Sequence, residues 1–167
     1  SRRFYELQSS KVVEDGPVNI SLREINRENY RTIAGLQVKE DQAQFLDSIP
    51  WSLAQAKYEP ELVPLGIYDD ETPIGFAIYR DGDYGAYGWA WSIWGIMIDY
   101  RHQGRGYGRA AMQLLLARLR ALSTTHMGIF IAFLPENTAA HNLYRSLGFE
   151  NSGIDDGRQL IYWLPLV

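Results

Sequence analysis

Residues able to hold a phosphate are concentrated in Ile96-Met97-Ile98-Asp99-Tyr100-Arg101-His102-Gln103-Gly104-Arg105-Gly106-Tyr107-Gly108-Arg109. Its first residues are apolar and read as a strand end. Glycines at 104, 106 and 108 then let the backbone approach a ligand and take up positive φ. A long run of helix formers, beginning Ala110-Ala111-Met112-Gln113-Leu114-Leu115, follows directly. A strand, a glycine turn and a helix start bring free N–H groups to one point, with the positive end of the helix dipole behind them. That arrangement is a phosphate socket. Arg105 and Arg109 can add positive charge to it, and Arg101 lies close by. The alternative is a plain tight turn before a helix.

Two common nucleotide patterns do not fit. A dinucleotide fold needs the turn in its first strand–helix–strand unit and a carboxylate about 20 residues later. Here the turn lies past the middle of the chain, and that position falls in Ser123-Thr124-Thr125-His126. A P-loop needs Gly-Lys-Ser/Thr, but Gly108 is followed by Arg109-Ala110.

Composition narrows the function classes. The 167 residues suit one domain with a sizeable core. A net charge of −4 argues against nucleic acid as main partner, because phosphate neutralisation wants a basic surface. There is no cysteine, which removes disulfides, thiolate metal sites and a cysteine nucleophile, and fits a cytoplasmic protein. No apolar run approaches the roughly 18 residues of a membrane span, and Ser1-Arg2-Arg3-Phe4-Tyr5 lacks the apolar core of a signal peptide. No His/carboxylate spacing suggests a metal site.

The elements that must position the turn follow from hydrophobic periodicity. Residues 1–17 read as a peripheral N-terminal arm and 18–167 as a single domain. Val18, Ile20 and Leu22 alternate as a half-buried strand. Asn26 is placed to cap a helix carrying Tyr30, Ile33, Ala34, Gln37 and Val38. Asp41 to Asp47 reads as a short helix carrying Phe45 and Leu46. Ile49-Pro50-Trp51 should break it, and Ser52 should cap another over Leu53 to Lys57. Leu62–Tyr68 and Ile74–Tyr79 form a hairpin, and Asp81 to Gly88 a flexible loop. Trp89–Ile98 is the strand feeding the glycine turn, Tyr107–Leu122 the main helix, and Met127–Leu134 a buried strand. A helix places Ala140, Leu143, Tyr144 and Leu147 on one face and stops at Gly148. Phe149–Ile154 and Gln159–Leu164 close the chain as a hairpin. The order is that of an α/β (α+β) protein, a mixed sheet with helices on its faces.

Gln103-x-x-Gly106-x-Gly108 resembles the pyrophosphate loop of the GNAT N-acetyltransferase superfamily, which binds acetyl-coenzyme A (acetyl-CoA). Asn137-x-x-Ala140-x-x-Leu143-Tyr144-x-x-x-Gly148-Phe149 matches a second segment of that family, and Ile96, Met97 and Ile98 a third. The resemblance implies a mixed, mostly antiparallel central sheet of about seven strands, splayed between strands 4 and 5, with helices on both faces. It implies that Ile96, Met97 and Ile98 offer backbone groups to the pantetheine arm, and that residues 103–109 (Gln103, Gly104, Arg105, Gly106, Tyr107, Gly108 and Arg109) take the diphosphate. It also implies that Asn137 lies along the cofactor and that Tyr144 points at its sulfur. A homodimer is a further expectation from the family. Asn29-Tyr30, Leu36-Gln37-Val38, Gln44-Phe45, Ser52-Leu53-Ala54-Gln55-Ala56, Pro64 to Tyr68 and Ile74 to Tyr79 look like the bacterial spermine/spermidine (diamine) N-acetyltransferase branch. One departure is Trp94, where several polyamine-type members carry an acidic residue. It places both the polyamine acceptor and a strand-borne carboxylate base in question.

Acetyl transfer to an amine needs a neutral amine, although an alkylammonium like Lys has a pKa of about 10.4. It also needs donors for the oxyanion and a proton for the departing thiolate. Without Cys, direct attack in a ternary complex is the simplest route, with most of the rate coming from holding the partners together. Tyr144 suits the general acid, since a phenol of pKa about 10 stays protonated at neutral pH; otherwise it is a core tyrosine. The base is open among Asp41, Asp47, Glu59, Asp81 and Asp83, each otherwise a solvated surface carboxylate, or a water chain. His102, His126 and His141 are possible bases by residue type but sit in structural positions. Tyr84, Tyr87, Trp89, Trp91 and Trp94 form the densest aromatic cluster. They either box a cationic amine or serve as core. Asp41, Glu59, Trp91 and Trp94 are the acceptor-side candidates. The function classes compared are a small-molecule amine acetyltransferase with polyamine-like acceptors, an enzyme for peptide N-termini or aminated antibiotics, and a non-catalytic coenzyme A sensor.

Overall fold

The computed structural model describes residues 19–45 and 47–167. The expected N-terminal arm (1–17), Val18 and Leu46 lie outside the described residues. Among the described residues, seven strands form one sheet: β1 (Ile20–Glu24), β2 (Leu62–Asp69), β3 (Thr72–Asp83), β4 (Trp89–Ile98), β5 (Gly128–Phe133), β6 (Glu150–Asp155) and β7 (Leu160–Pro165). Joining them, among the same residues, are the α-helices α1 (Tyr30–Ala34), α2 (Ile49–Tyr58), α3 (Tyr107–Leu122) and α4 (Thr138–Ser146). The strand order is β1-β2-β3-β4-β5-β7-β6, antiparallel throughout except the parallel pair β4/β5. None of the described helices is long and apolar enough to cross a membrane.

Alternating residues send the sheet's two faces into separate cores. On one face Ile93, Ile96 and Ile98 of β4 meet Met112, Leu115 and Leu119 of α3 and Leu143 and Tyr144 of α4. On the other, Phe76, Ile78 and Met97 meet Ile33 of α1 and Ile49 of α2.

Two features of β4 shape everything nearby. Its ladder with β5 holds Trp91, Ser92 and Ile93 opposite Ile129, Phe130 and Ile131, and then stops, while β5 stays paired to β7 as far as Phe133. The register with β3 slips at the same place: Ile78 faces Gly95 and Tyr79 faces Ile93, which leaves Trp94 as the extra residue of a bulge. The bulge turns the strand, so β4 follows β3 from Gly95 to Ile98 and parts from β5. The expected splay between strands 4 and 5 therefore begins at Trp94.

Several expected boundaries differ. Pro50 does not break a helix. Ser48 caps α2 by accepting the Trp51 N–H at 3.3 Å, Pro50 sits in the first turn where its missing N–H is harmless, and Ser52 is buried inside the helix. Asn26 Oδ1 accepts the N–H groups of Glu28 and Asn29, and so caps a turn ahead of α1, which ends before Gln37 and Val38. Glu40–Phe45 is a 3₁₀ helix. Asp81 to Gly88 is not a flexible loop: β3 runs on to Asp83, and Gly85–Tyr87 forms a 3₁₀ turn. Tyr84 and Tyr87 hold it down against Phe130, at ring separations of 5.2 and 5.0 Å, and Tyr87 also meets Trp163.

Candidate active site

The glycine turn has the conformation its composition suggests. Gly104 (φ 77°) and Gly106 (φ 80°) are left-handed, and a Cβ at either would meet nothing within 4 Å. Gly108 differs from expectation: it is buried within the first turn of α3 and takes no positive φ. Gly106 caps α3 and has no side chain to occupy the leading amides. The bond from Ala110 N to Gly106 O is 3.2 Å, so the preceding N–H groups of Tyr107, Gly108 and Arg109 have no acceptor within the helix. No acidic residue stands in that turn to offset the dipole of a 16-residue helix.

Side chains around the turn fix its shape. The Tyr107 hydroxyl donates to Asp69 Oδ2 at the end of β2. That bond, with burial behind it, pushes the Tyr107 phenol above the ordinary value, against a smaller opposing effect from Arg105. Gln103 Nε2 donates to the Ile98 carbonyl at 3.0 Å. Arg105 is exposed, and Arg109 Nη2 donates to Ser146 Oγ at 2.9 Å, which ties α3 to the end of α4. Arg101 is held by Asp99 rather than turned to solvent alone. Burial opposes ionisation of Asp99, yet the Arg101 guanidinium and the N–H groups of Gln37 and Arg101 outweigh it and hold the carboxyl below its usual range.

Past the bulge, Ile96, Met97 and Ile98 line the side of the gap that β5 leaves open. Asn137 caps α4, its side chain accepting the Ala140 N–H at 3.1 Å. Tyr144 is fully buried on α4, edge-on to Phe133 at 5.1 Å. The helix then ends in a Schellman motif. Gly148 (φ 93°) donates to the Arg145 carbonyl and Phe149 to the Tyr144 carbonyl, and the Phe149 ring lies 6.0 Å from Tyr144. The backbone and ring of Tyr144 are thus both fixed.

A cavity of about 800 Å³ lies on the α1/α2 side, its walls including Leu36, Gln37, Lys39, Asp47, Ile49 and Met97. Met97 belongs to both the cavity wall and the gap edge, so the two spaces adjoin. Of the carboxylates proposed as base, Asp47 lines this cavity. Asp41 is exposed on the 3₁₀ helix beside it. Glu59 accepts a bond from Gln55 at the end of α2, Asp81 pairs with His126 at 3.0 Å, and Asp83 caps Gly85. The aromatic cluster does not form one box. Trp91 is 5% exposed, stacked on His126 at 3.9 Å and bonded through Nε1 to Ser123 Oγ, within the α3-side core. Trp94 lies half-buried against the opposite core, under the Arg80 guanidinium at 5.6 Å. Trp91 and Trp94 stand three positions apart and so face opposite cores, and the bulge at Trp94 then returns Ile96 and Ile98 to the face of Trp91 and Ile93.

The acetyltransferase (GNAT) family matches residues 20–149. The chain belongs to this family. Among curated proteins, the acetyltransferase is 28% identical over 145 residues to the spermine/spermidine N(1)-acetyltransferase of Bacillus subtilis, covering 81% of this chain and 91% of that one. Its fold is similar to that of a spermidine N-acetyltransferase from Vibrio cholerae solved with CoA and spermine, with a TM-score of 0.68, 19% identity and coverage of 89% and 96%. It is also similar to an aminoglycoside N(6')-acetyltransferase from Legionella pneumophila, with a TM-score of 0.69, 16% identity and coverage of 90% and 94%.

The pairing of Asp99 with Gln37 is not visible in the sequence. A lone Asp after a strand reads as turn chemistry, and only its 1% exposure and its bond to Gln37 mark it out.

Proposed function

We propose that this acetyltransferase transfers the acetyl group of acetyl-CoA to a primary amine of a small molecule, most readily a polyamine or diamine. The observation that carries this reading is the glycine turn at the head of α3, opening beside the gap between β4 and β5, which itself adjoins the cavity at Met97. The donor set fits a diphosphate: leading helix amides, two left-handed glycines and no acidic residue in the first turn of α3. The N–H groups at the head of α3, with Arg105 beside them, hold the diphosphate. The backbone of Ile96, Met97 and Ile98 receives the pantetheine arm, and Asn137 flanks it. Acetyl-CoA supplies an activated thioester.

The residues of the chain do the rest. Tyr144 holds at Oη the proton that the leaving group needs, in a site from which Phe133 and Phe149 exclude water. The cavity orients the amine, and Asp47 or solvent takes its proton. No cysteine exists to carry an acyl group, and direct attack by the amine in a ternary complex is the simplest route. The polyamine preference draws on the Bacillus subtilis relative and on the carboxylates Glu40 and Asp47 in the cavity wall.

Thiol release with acetyl-CoA and a panel of spermidine, spermine, short diamines, an aminoglycoside and an N-terminal peptide tests the reading. Turnover greatest with polyamines or diamines is expected. Turnover with the peptide or aminoglycoside alone would overturn the acceptor class. Tight acetyl-CoA binding without thiol release to any amine would overturn catalysis.

A further inference from the structure

Asp99 stands between the last residue of the gap edge, Ile98, and the turn that opens α3. Its carboxylate is 1% exposed, and both oxygens are engaged. Oδ1 accepts Arg101 N at 3.1 Å and Arg101 Nε at 2.7 Å. Oδ2 accepts Arg101 Nη2 at 3.2 Å and, across the molecule, Gln37 N at 3.0 Å. Tyr100 N returns a bond to the Gln37 carbonyl at 2.8 Å. Gln37 is a wall of the cavity. A second bridge runs parallel: Gln103 Nε2 spans from the Ile98 carbonyl to Gln42 Oε1 at 2.9 Å, and Gln42 Oε1 also accepts Lys39 N at 3.3 Å.

A buried carboxylate costs free energy unless its charge is matched, and a well-packed apolar group usually serves stability as well. Here it is matched by groups from two places that a coupled site must join. We infer that Asp99, seconded by Gln103, is a positioning residue that links the glycine turn to the acceptor wall at residues 36–42, so that ligand at the turn sets the shape of the cavity. The inference rests on the reading that the turn takes coenzyme A and the cavity takes the amine. Neither Asp99 nor Gln103 needs to touch the reacting atoms. Each acts through the backbone of Gln37, Lys39 or Ile98.

Hydrogen exchange of the 38–43 segment, with and without coenzyme A, tests it, alongside calorimetric coenzyme A binding. In the unmodified protein, coenzyme A should slow exchange there by at least about fivefold, the lower end of ordinary site coupling. In Asp99→Asn, coenzyme A should still bind, the slowing should fall below about twofold, and the amine KM should rise more than kcat falls. A purely structural loss would speed exchange with and without ligand and keep the ligand-dependent ratio. Coenzyme A binding with no protection of 38–43 in the unmodified protein, or with equal protection in Asp99→Asn, would overturn the inference. An absent binding isotherm in the unmodified protein would overturn the site reading as well, and is told apart by the calorimetry alone. Should Asp99→Asn fail to fold, Gln42→Ala cuts the second bridge. Reduced protection there supports the inference, and unchanged protection overturns it.

Discussion

Replacing Gly106 by Ala separates the phosphate role of the turn from its contribution to stability. Gly106 has φ 80° and ψ 5°, and a Cβ built there meets nothing within 4 Å. The whole penalty is therefore backbone strain, about 1–2 kcal/mol for an L-residue held in the left-handed region. At this chain length that amounts to roughly 2–8 °C in Tm. Gly153, in β6, is a matched control: φ is 77°, again with nothing within 4 Å of a Cβ, but it lies away from the turn. If Gly106→Ala relaxes toward negative φ, the amides at the head of α3 lose their common aim. One charge-assisted bond is worth about 1.5–3 kcal/mol, so coenzyme A affinity should fall roughly ten- to a hundredfold. The assay is thermal unfolding plus calorimetric coenzyme A binding for both variants. Equal Tm losses with a Kd change at Gly106 alone are expected. Equal Tm losses with the coenzyme A Kd unchanged in Gly106→Ala would refute the phosphate cradle.

Three further outcomes follow from the same geometry. Tyr144→Phe should lower kcat by at least about tenfold while coenzyme A binding stays nearly intact, and unchanged turnover would reject Tyr144 as proton donor. Asp99 is held below the ordinary carboxyl pKa of about 3.9, so the stability from its ionisation is complete above that value and is lost as pH falls through the lower folded pKa. Urea unfolding below about pH 4 should therefore show a shallower loss in Asp99→Asn, and identical slopes would contradict the pairing. Tyr107 is raised, because Asp69 accepts its proton-bearing hydroxyl and burial disfavours the phenolate. Its contribution is full below its ordinary pKa of about 10 and is lost as pH rises through the folded value. An absorbance titration of Tyr107→Phe should lack a late-titrating tyrosine, whereas loss of an early one would be the wrong sign.

The elements next to the chemistry were the most legible in the sequence. Trp89–Ile98 and Tyr107–Leu122 were bounded by residue chemistry alone, a β-prone apolar run and a helix-forming run on either side of a glycine turn, and the structure has the same limits. The misread elements are those decided by tertiary contact. Pro50 looks like a breaker until Ser48 is seen capping the first turn of α2, which holds it. Asp81 to Gly88 looks like loop because Phe130 and Trp163, the partners of Tyr84 and Tyr87, lie far along the chain. Trp91 and Trp94 are close in sequence, but a period of two already sends them to opposite cores; what that period does not show is the bulge at Trp94, which keeps Ile96 and Ile98 on the face of Ile93. The bond between Asp99 and Gln37 is not legible in the sequence because it spans 62 positions.

The claim that the amides at the head of α3 clasp a diphosphate is tested most directly by a crystal structure of the protein with coenzyme A. The account predicts phosphate oxygens about 2.9 Å from backbone nitrogens of the 104–109 turn, with the pantetheine arm entering the gap beside Ile96–Ile98. A diphosphate bound anywhere else, or an arm lying outside that gap, would contradict it.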